Sequence, residues 1–212
     1  IDNHGRHVIY DSKGKARLVA VGWGREVPGR ADGAKYAVPI VGPFGPKGET
    51  RIVMAGGLDA LETPDAAGNR LAKCNFASCY DFQWCGAAAT KIRSDGWDIG
   101  TANCYGVFYC SDANTCVTRW TLDLGVQPLN CVNISSGDAD GDGRDNFLVG
   151  LPDGRLVVLD EKDGKGVVLW QKSFDAGVDE AFMADVDGDG TGEVVVDLDD
   201  GQIKILKAGR KK

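Results

Sequence analysis

The sequence has only two histidines, His4 and His7, both near one end and followed by a Lys/Gly turn. A histidine-based catalytic triad would have to be built there, and both are read as surface residues. No GxSxG, no phosphate-binding GxxxxGK[ST] and no HExxH occurs, so the chain offers no recognisable catalytic constellation. No apolar run approaches the ~18 residues that a membrane-spanning helix needs. Basic residues gather only between Lys207 and Lys212, with 208–212 read as a solvated tail, and the net charge is −7. Neither feature suits nucleic acid. No CxxC pair is present, and the histidines lie far from the cysteines, so zinc is the weaker reading of those cysteines. Ile1 rather than Met opens the sequence, as expected of a processed chain or a portion of a longer one.

What is present points to an all-β chain. With 212 residues and 43% hydrophobic composition it can bury a core, and 30 glycines suit many short strands joined by tight turns. The seven cysteines are Cys74, Cys79, Cys85, Cys104, Cys110, Cys116 and Cys131. Clustered in a Gly-rich chain, they are expected to form disulfides in an oxidising compartment. The odd count leaves at least one free or paired between chains, and the connectivity stays open.

The most specific signal is an acidic loop that occurs twice, 47 residues apart. Asp138-Ala-Asp140-Gly-Asp142-Gly-Arg144-Asp145-Asn146 is followed by Phe147-Leu-Val149, and Asp185-Val-Asp187-Gly-Asp189-Gly-Thr191-Gly-Glu193 by Val194-Val-Val196. Each copy sets oxygen side chains at positions 1, 3, 5 and 9, with glycines at 4 and 6 for the tight turn. The position-7 carbonyl, of Arg144 or Thr191, adds a ligand. Three carboxylates so close repel one another, and Ca²⁺ is the natural counter-charge, giving two expected sites. An EF-hand would need Glu at position 12 and a helix after it; Val149 and Val196 stand there, and β-branched runs follow.

Repetition extends over much of the chain. Residues 5–37 read as a partial repeat, because Arg6 to Asp11 and Ala16 to Trp23 match Arg155 to Asp160 and Val167 to Trp170. Further repeats are expected over 38–85, 86–130, 131–178 and 179–207, the last stopping after its third strand. In the 38–85 copy the loop positions from Pro43 to Arg51 hold Pro, Gly, Lys and Arg, and no metal is expected. In the 86–130 copy Ser94 to Ile99 forms a shortened loop without paired acids. Residues 62–90 read as an irregular insertion stapled by disulfides. Trp23, Trp120 and Trp170 fall late in their repeats and are expected to pack between units. Asn133-Ile-Ser135 is an N-glycosylation sequon.

The DxDGDGxxD/E loop with its following hydrophobic strand resembles the FG-GAP or VCBS repeat of calcium-binding β-propellers, as in integrin α-subunit heads. Asp153 to Asp160 with Gly164 to Trp170 is also similar to quinoprotein-type propeller repeats. The resemblance is closest over 131–207. It implies a propeller-like array of about four four-stranded antiparallel blades in one domain over 1–212, either partial or closed by the N-terminal strands Ala16 to Val21. It also implies that Asp138, Asp140, Asp142 and Asn146 hold one calcium, and Asp185, Asp187, Asp189 and Glu193 the other, with the carbonyls of Arg144 and Thr191.

The functional expectation is a secreted or cell-surface, calcium-stabilised, non-catalytic module. It would bind an extracellular protein or a glycan, or assemble with itself through exposed strand edges. The alternative is a relative of calcium-dependent propeller polysaccharide lyases, in which calcium neutralises a uronate while a Lys, Arg or Tyr abstracts the proton.

Overall fold

The computed structural model describes residues 7–10, 12–20, 37–56, 60–64, 70–75, 86–103, 105–126 and 133–207. Among them the regular structure is β, apart from one 3-10 turn at Pro46–Gly48. A hairpin, β1 (His7–Tyr10) and β2 (Ala16–Ala20), precedes four antiparallel sheets. The first is β3 (Ala37–Gly42), β4 (Arg51–Gly56), β5 (Ala60–Pro64) and β6 (Arg70–Asn75). The second is β7 (Ala87–Thr90), β8 (Asp98–Ala102), β9 (Val107–Asp112) and β10 (Thr118–Asp123). The third is β11 (Ile134–Gly137), β12 (Asn146–Gly150), β13 (Arg155–Lys162) and β14 (Lys165–Ser173). The fourth has three strands, β15 (Val178–Ala184), β16 (Glu193–Leu198) and β17 (Ile203–Lys207).

Every sheet is a meander in which consecutive strands pair, and the first strands β3, β7, β11 and β15 lie side by side from sheet to sheet. This is a partial propeller, with sheets stacked face to face around a line of first strands. The stacking explains the uninterrupted apolar run Phe147-Leu-Val149. All five residues of β12 are buried because both faces of the third sheet are covered. Phe147 and Val149 enter a core shared with the second sheet, while Leu148 enters one shared with the fourth.

Trp120 illustrates how sheets interlock. Its ring stacks on Phe108 at 5.5 Å and meets Phe147 edge-on at 6.4 Å, so an aromatic cluster spans the junction. Gly166 on β14 makes room for it, since a Cβ there would lie 2.2 Å from Trp120 Cε3. Trp170 packs on the core between the third and fourth sheets. Trp23 lies outside the described residues.

Two expectations are corrected. The irregular insertion over 62–90 contains the end of β5, all of β6 and β7. β6, Arg-Leu-Ala-Lys-Cys-Asn, is the outermost strand of its sheet, and a polar outer strand carries little apolar alternation to betray it. Closure by the N-terminal strand is not seen either. Among the described residues β2 pairs with β1 and β17 with β16, so β17 keeps an open edge.

Candidate metal loops

Both acidic loops join the first and second strands of their sheets. The β11–β12 ladder ends at Gly137 opposite Asn146, and the β15–β16 ladder at Ala184 opposite Glu193, so the loop residues begin at Asp138 and Asp185. One hydrogen-bond pattern shapes both. Asp138 Oδ1 accepts from Gly141 N at 2.7 Å and its Oδ2 from Gly143 N at 2.9 Å. Asp185 does the same with Gly188 at 2.7 Å and Gly190 at 3.0 Å. Asp142 Oδ1 caps Arg144 N at 2.9 Å, and Asp189 Oδ1 caps Thr191 N at 2.8 Å. At position 9, Asn146 Oδ1 accepts from Ala139 N at 2.9 Å and Glu193 Oε2 from Val186 N at 3.1 Å. The glycines at positions 4 and 6 adopt left-handed backbone, with φ of 77° and 88° in the first loop and 77° and 84° in the second. Side chains with a Cβ are strained there, which is why glycine recurs.

The result is convergence of charge. Oxygens of Asp138, Asp140 and Asp142 lie within 4.8 Å of one another, as do those of Asp185, Asp187 and Glu193. Asp140 is 4% exposed and Glu193 3%. Hard oxygen donors, gathered this closely and partly out of water, suit a hard divalent cation. In the second loop Glu193 joins the convergent group, whereas the Asp189 carboxylate turns to Thr191 N. Arg144 Nη2 meets Asp142 Oδ2 at 3.0 Å, and Lys207 Nζ lies 3.6 Å from Asp187 Oδ2.

The two earlier loops share this frame but not its chemistry. Their ladders end at Gly42 opposite Arg51 and at Thr90 opposite Asp98, so Arg51 and Asp98 stand where Asn146 and Glu193 stand. Counted from the strand end, Ile92 matches Ala139, both buried, and Arg93 matches Asp140. Arg93 donates to Asp98 from Nε at 2.9 Å and from Nη2 at 3.0 Å, and Nη2 also reaches Asp112 Oδ2 at 2.9 Å. Arg119 Nη1 adds 3.2 Å to Asp98 and forms a two-pronged pair with Glu161 of the third sheet, at 2.6 and 2.8 Å. Trp120 Nε1 donates to the same Glu161 at 3.0 Å. The bond to Asp98 pushes the Arg93 guanidinium up, against the effect of burial. Burial pushes the Asp98 carboxyl up while both guanidiniums pull against it. This network, which ties the second sheet to the third, was not anticipated from sequence. Aligning Lys91–Asp98 with Asp138–Asn146 carries its one visible signal, a base at position 3.

The cysteines divide. Cys110 is a fully buried free thiol, which corrects its place among the disulfide candidates. Its position on β9 matches Val158 on β13, so it fills an aliphatic slot. Cys116 is buried in the core between the first and second sheets. Cys74 lies on β6, and Cys79, Cys85, Cys104 and Cys131 fall outside the described residues. Asn133 is half-buried before β11, its carbonyl accepting from Gly150 N at 3.1 Å, and the Ser135 hydroxyl donates to the carbonyl of Ala181.

No protein-family model matches the chain, and no curated protein matches it. Among solved structures it is similar to the N-terminal domain of BBS1, a β-propeller, crystallised in complex with ARL6 and soaked with mercury. The TM-score is 0.68 at 16% identity, over 99% of this chain and 60% of that one. A lead-soaked crystal of the same complex gives 0.54 at 14% identity, over 76% and 48%. A chain of the mitotic checkpoint complex gives 0.53 at 14% identity, over 74% and 47%. The chain thus spans between about half and three fifths of the structures it resembles, and at these identities the likeness is one of fold.

Proposed function

We propose that this chain is an extracellular, calcium-stabilised propeller module of the FG-GAP/VCBS kind, which binds a protein or glycan partner and is not catalytic. The observation that carries the reading is the duplicated loop. Two acidic segments, 47 residues apart and each set between first and second strands, repeat one hydrogen-bond pattern and each gather three carboxylates within 4.8 Å. Asp138, Asp140, Asp142 and Asn146 would hold one Ca²⁺, and Asp185, Asp187, Asp189 and Glu193 the other, with the Arg144 and Thr191 carbonyls. Bound there, calcium supplies positive charge that relieves carboxylate repulsion and ties the first two strands of a sheet together. A protein partner is favoured over a glycan because a neighbouring fold, that of BBS1, was crystallised with a protein bound.

The test is thermal unfolding with Ca²⁺ and with excess chelator, on wild type and on the Asp140→Ala/Asp187→Ala double variant. A Ca²⁺-dependent rise that the double variant loses is the expected result. An unchanged wild-type midpoint would reduce both loops to acidic turns and remove the metal from the proposal.

A further inference from the structure

The side chains that each sheet turns toward its successor can be followed through the strand registers. In the second sheet the row is Ala88, Gly100, Cys110 and Trp120, and in the third it is Ser135, Leu148, Val158 and Trp170. In the fourth it is Phe182, Val195 and Ile205, where the chain supplies no fourth strand among the described residues. The third-sheet row is sealed by the fourth sheet: Leu148, Val158 and the adjacent Leu156 are each 0% exposed. Forty-seven residues on, at the same places in the fourth sheet, Ile203 is 67% and Ile205 57% exposed, with Phe182 at 41%. A sheet face turned permanently to water alternates to polar residues. This one keeps the aliphatic side chains of a sheet-to-sheet junction.

The complementary half of that junction lies at the other end of the array. Val41 opposite Ile52 matches Met183 opposite Val194, the positions the fourth sheet uses against the third. In the first sheet Val41 is 64% exposed and Pro39 is exposed beside it. One chain therefore carries both halves of an interface that already joins its own sheets at three consecutive junctions.

We propose that the fourth sheet of one chain packs on the first sheet of a second copy, and the reverse, so that two half-rings close head to tail into one ring. Each junction joins two different surfaces, and because the contact is reciprocated the pair closes as a twofold ring after two copies. It continues a junction the fold already contains, and it rests on the sheet order alone, not on the metal reading, so it stands or falls apart from calcium. A foreign protein or a glycan on the Ile203/Ile205 face would instead leave the chain monomeric.

Sedimentation velocity on the full chain tests this, with Ile205→Lys on one face and Val41→Lys on the other. The wild type is expected to be a dimer at micromolar concentration. Each variant alone should dissociate at concentrations about 100-fold higher, because a lysine is placed in an apolar contact. A one-to-one mixture of the two variants should recover a pair, since each retains one intact face. Both residues are more than half exposed, so folding should survive, and far-UV circular dichroism checks this; Ile203→Lys replaces Ile205→Lys if needed. A wild type that stays monomeric, an open polymer, a dimer indifferent to both variants, or a mixture that stays dissociated would each overturn the proposal.

Discussion

Arg93 stands at the loop position that Asp140 holds one sheet later, so the second sheet places a guanidinium where the third places a buried carboxylate. The two loops solve one problem in opposite ways. Asp98, fully buried, has its charge balanced by arginines of its own chain, whereas around Asp140 three carboxylates converge and the exposed Arg144 meets one of them, Asp142, from outside. Removing one partner of a buried pair strands the other, and this typically costs about 3–5 kcal/mol. Arg93→Ala should therefore lower the urea unfolding free energy by roughly 3 kcal/mol. Arg93→Lys should recover only part of it, because lysine cannot fork across both Asp98 oxygens. A loss below about 1 kcal/mol for Arg93→Ala, the range of an exposed pair, would show that the network adds little.

On the calcium reading, chelation should act on one half of the molecule. For ligand at about 100 times its dissociation constant, binding contributes roughly 2.7 kcal/mol per site. In a chain of this size that is a fall in midpoint of roughly 5–10 °C per site on chelation. Hydrogen exchange should quicken at the amides of Gly141, Gly143, Gly188 and Gly190 and stay unchanged over 91–97, where the cation is covalently attached. Uniform quickening across both halves would mean that the loops are not separable units.

The two tryptophans should respond unequally to one substitution. Trp120 Nε1 donates to Glu161, whereas Trp170 Nε1 is buried with no hydrogen-bond partner among the described residues. Trp120→Phe should cost about 1.5–3 kcal/mol, the range for a hydrogen bond to a charged group. Trp170→Phe removes an unsatisfied donor and should cost clearly less, with lost ring area offset by the relieved N–H. Chemical denaturation of the pair decides it, and equal losses would contradict the difference in environment.

Cys110 should behave as an aliphatic residue. Burial pushes its thiol well above the ordinary cysteine range, with Asp98 adding to the effect. A raised folded-state value leaves stability intact below the unfolded thiol's pKa, about 8.5, and removes it as pH rises beyond that. The stability difference between wild type and Cys110→Val should therefore be constant up to about pH 8. Above that it should shift in favour of the variant by up to about 1.4 kcal/mol per pH unit. Native Cys110 should also resist alkylation. Modification at the rate of an exposed thiol would contradict its burial.

The acidic loops, their tight turns and the strands after them were legible because each rests on a local pattern. Alternate carboxylates, paired glycines and the run Phe147-Leu-Val149 all lie within a dozen residues. What escaped depends on distant partners. Arg119 meets Glu161 across 42 residues, and neither residue type announces the other. Arg93 escaped because the loop, read from sequence as Ser94 to Ile99, runs from Lys91 to Trp97 between the paired Thr90 and Asp98. Cys110 was read with its neighbours as a disulfide former, although its place opposite Trp120 is that of Val158 opposite Trp170. Strand β6 was missed because an outer strand pairs on one side and carries polar residues.

In the third sheet the inner strand β12, like β8 of the second, is buried along its whole length between two separate cores, with the principal contacts between sheets running from each to the next. In such a linear array, order spreads from wherever neighbouring units are already assembled. Damage at Phe147 or Leu148 should thus sever cooperativity, so that the flanking sheets melt as separate events, whereas the same change in an outer sheet frays one end. A doubly covered strand such as β12 is a point at which a single mutation turns one unfolding transition into several.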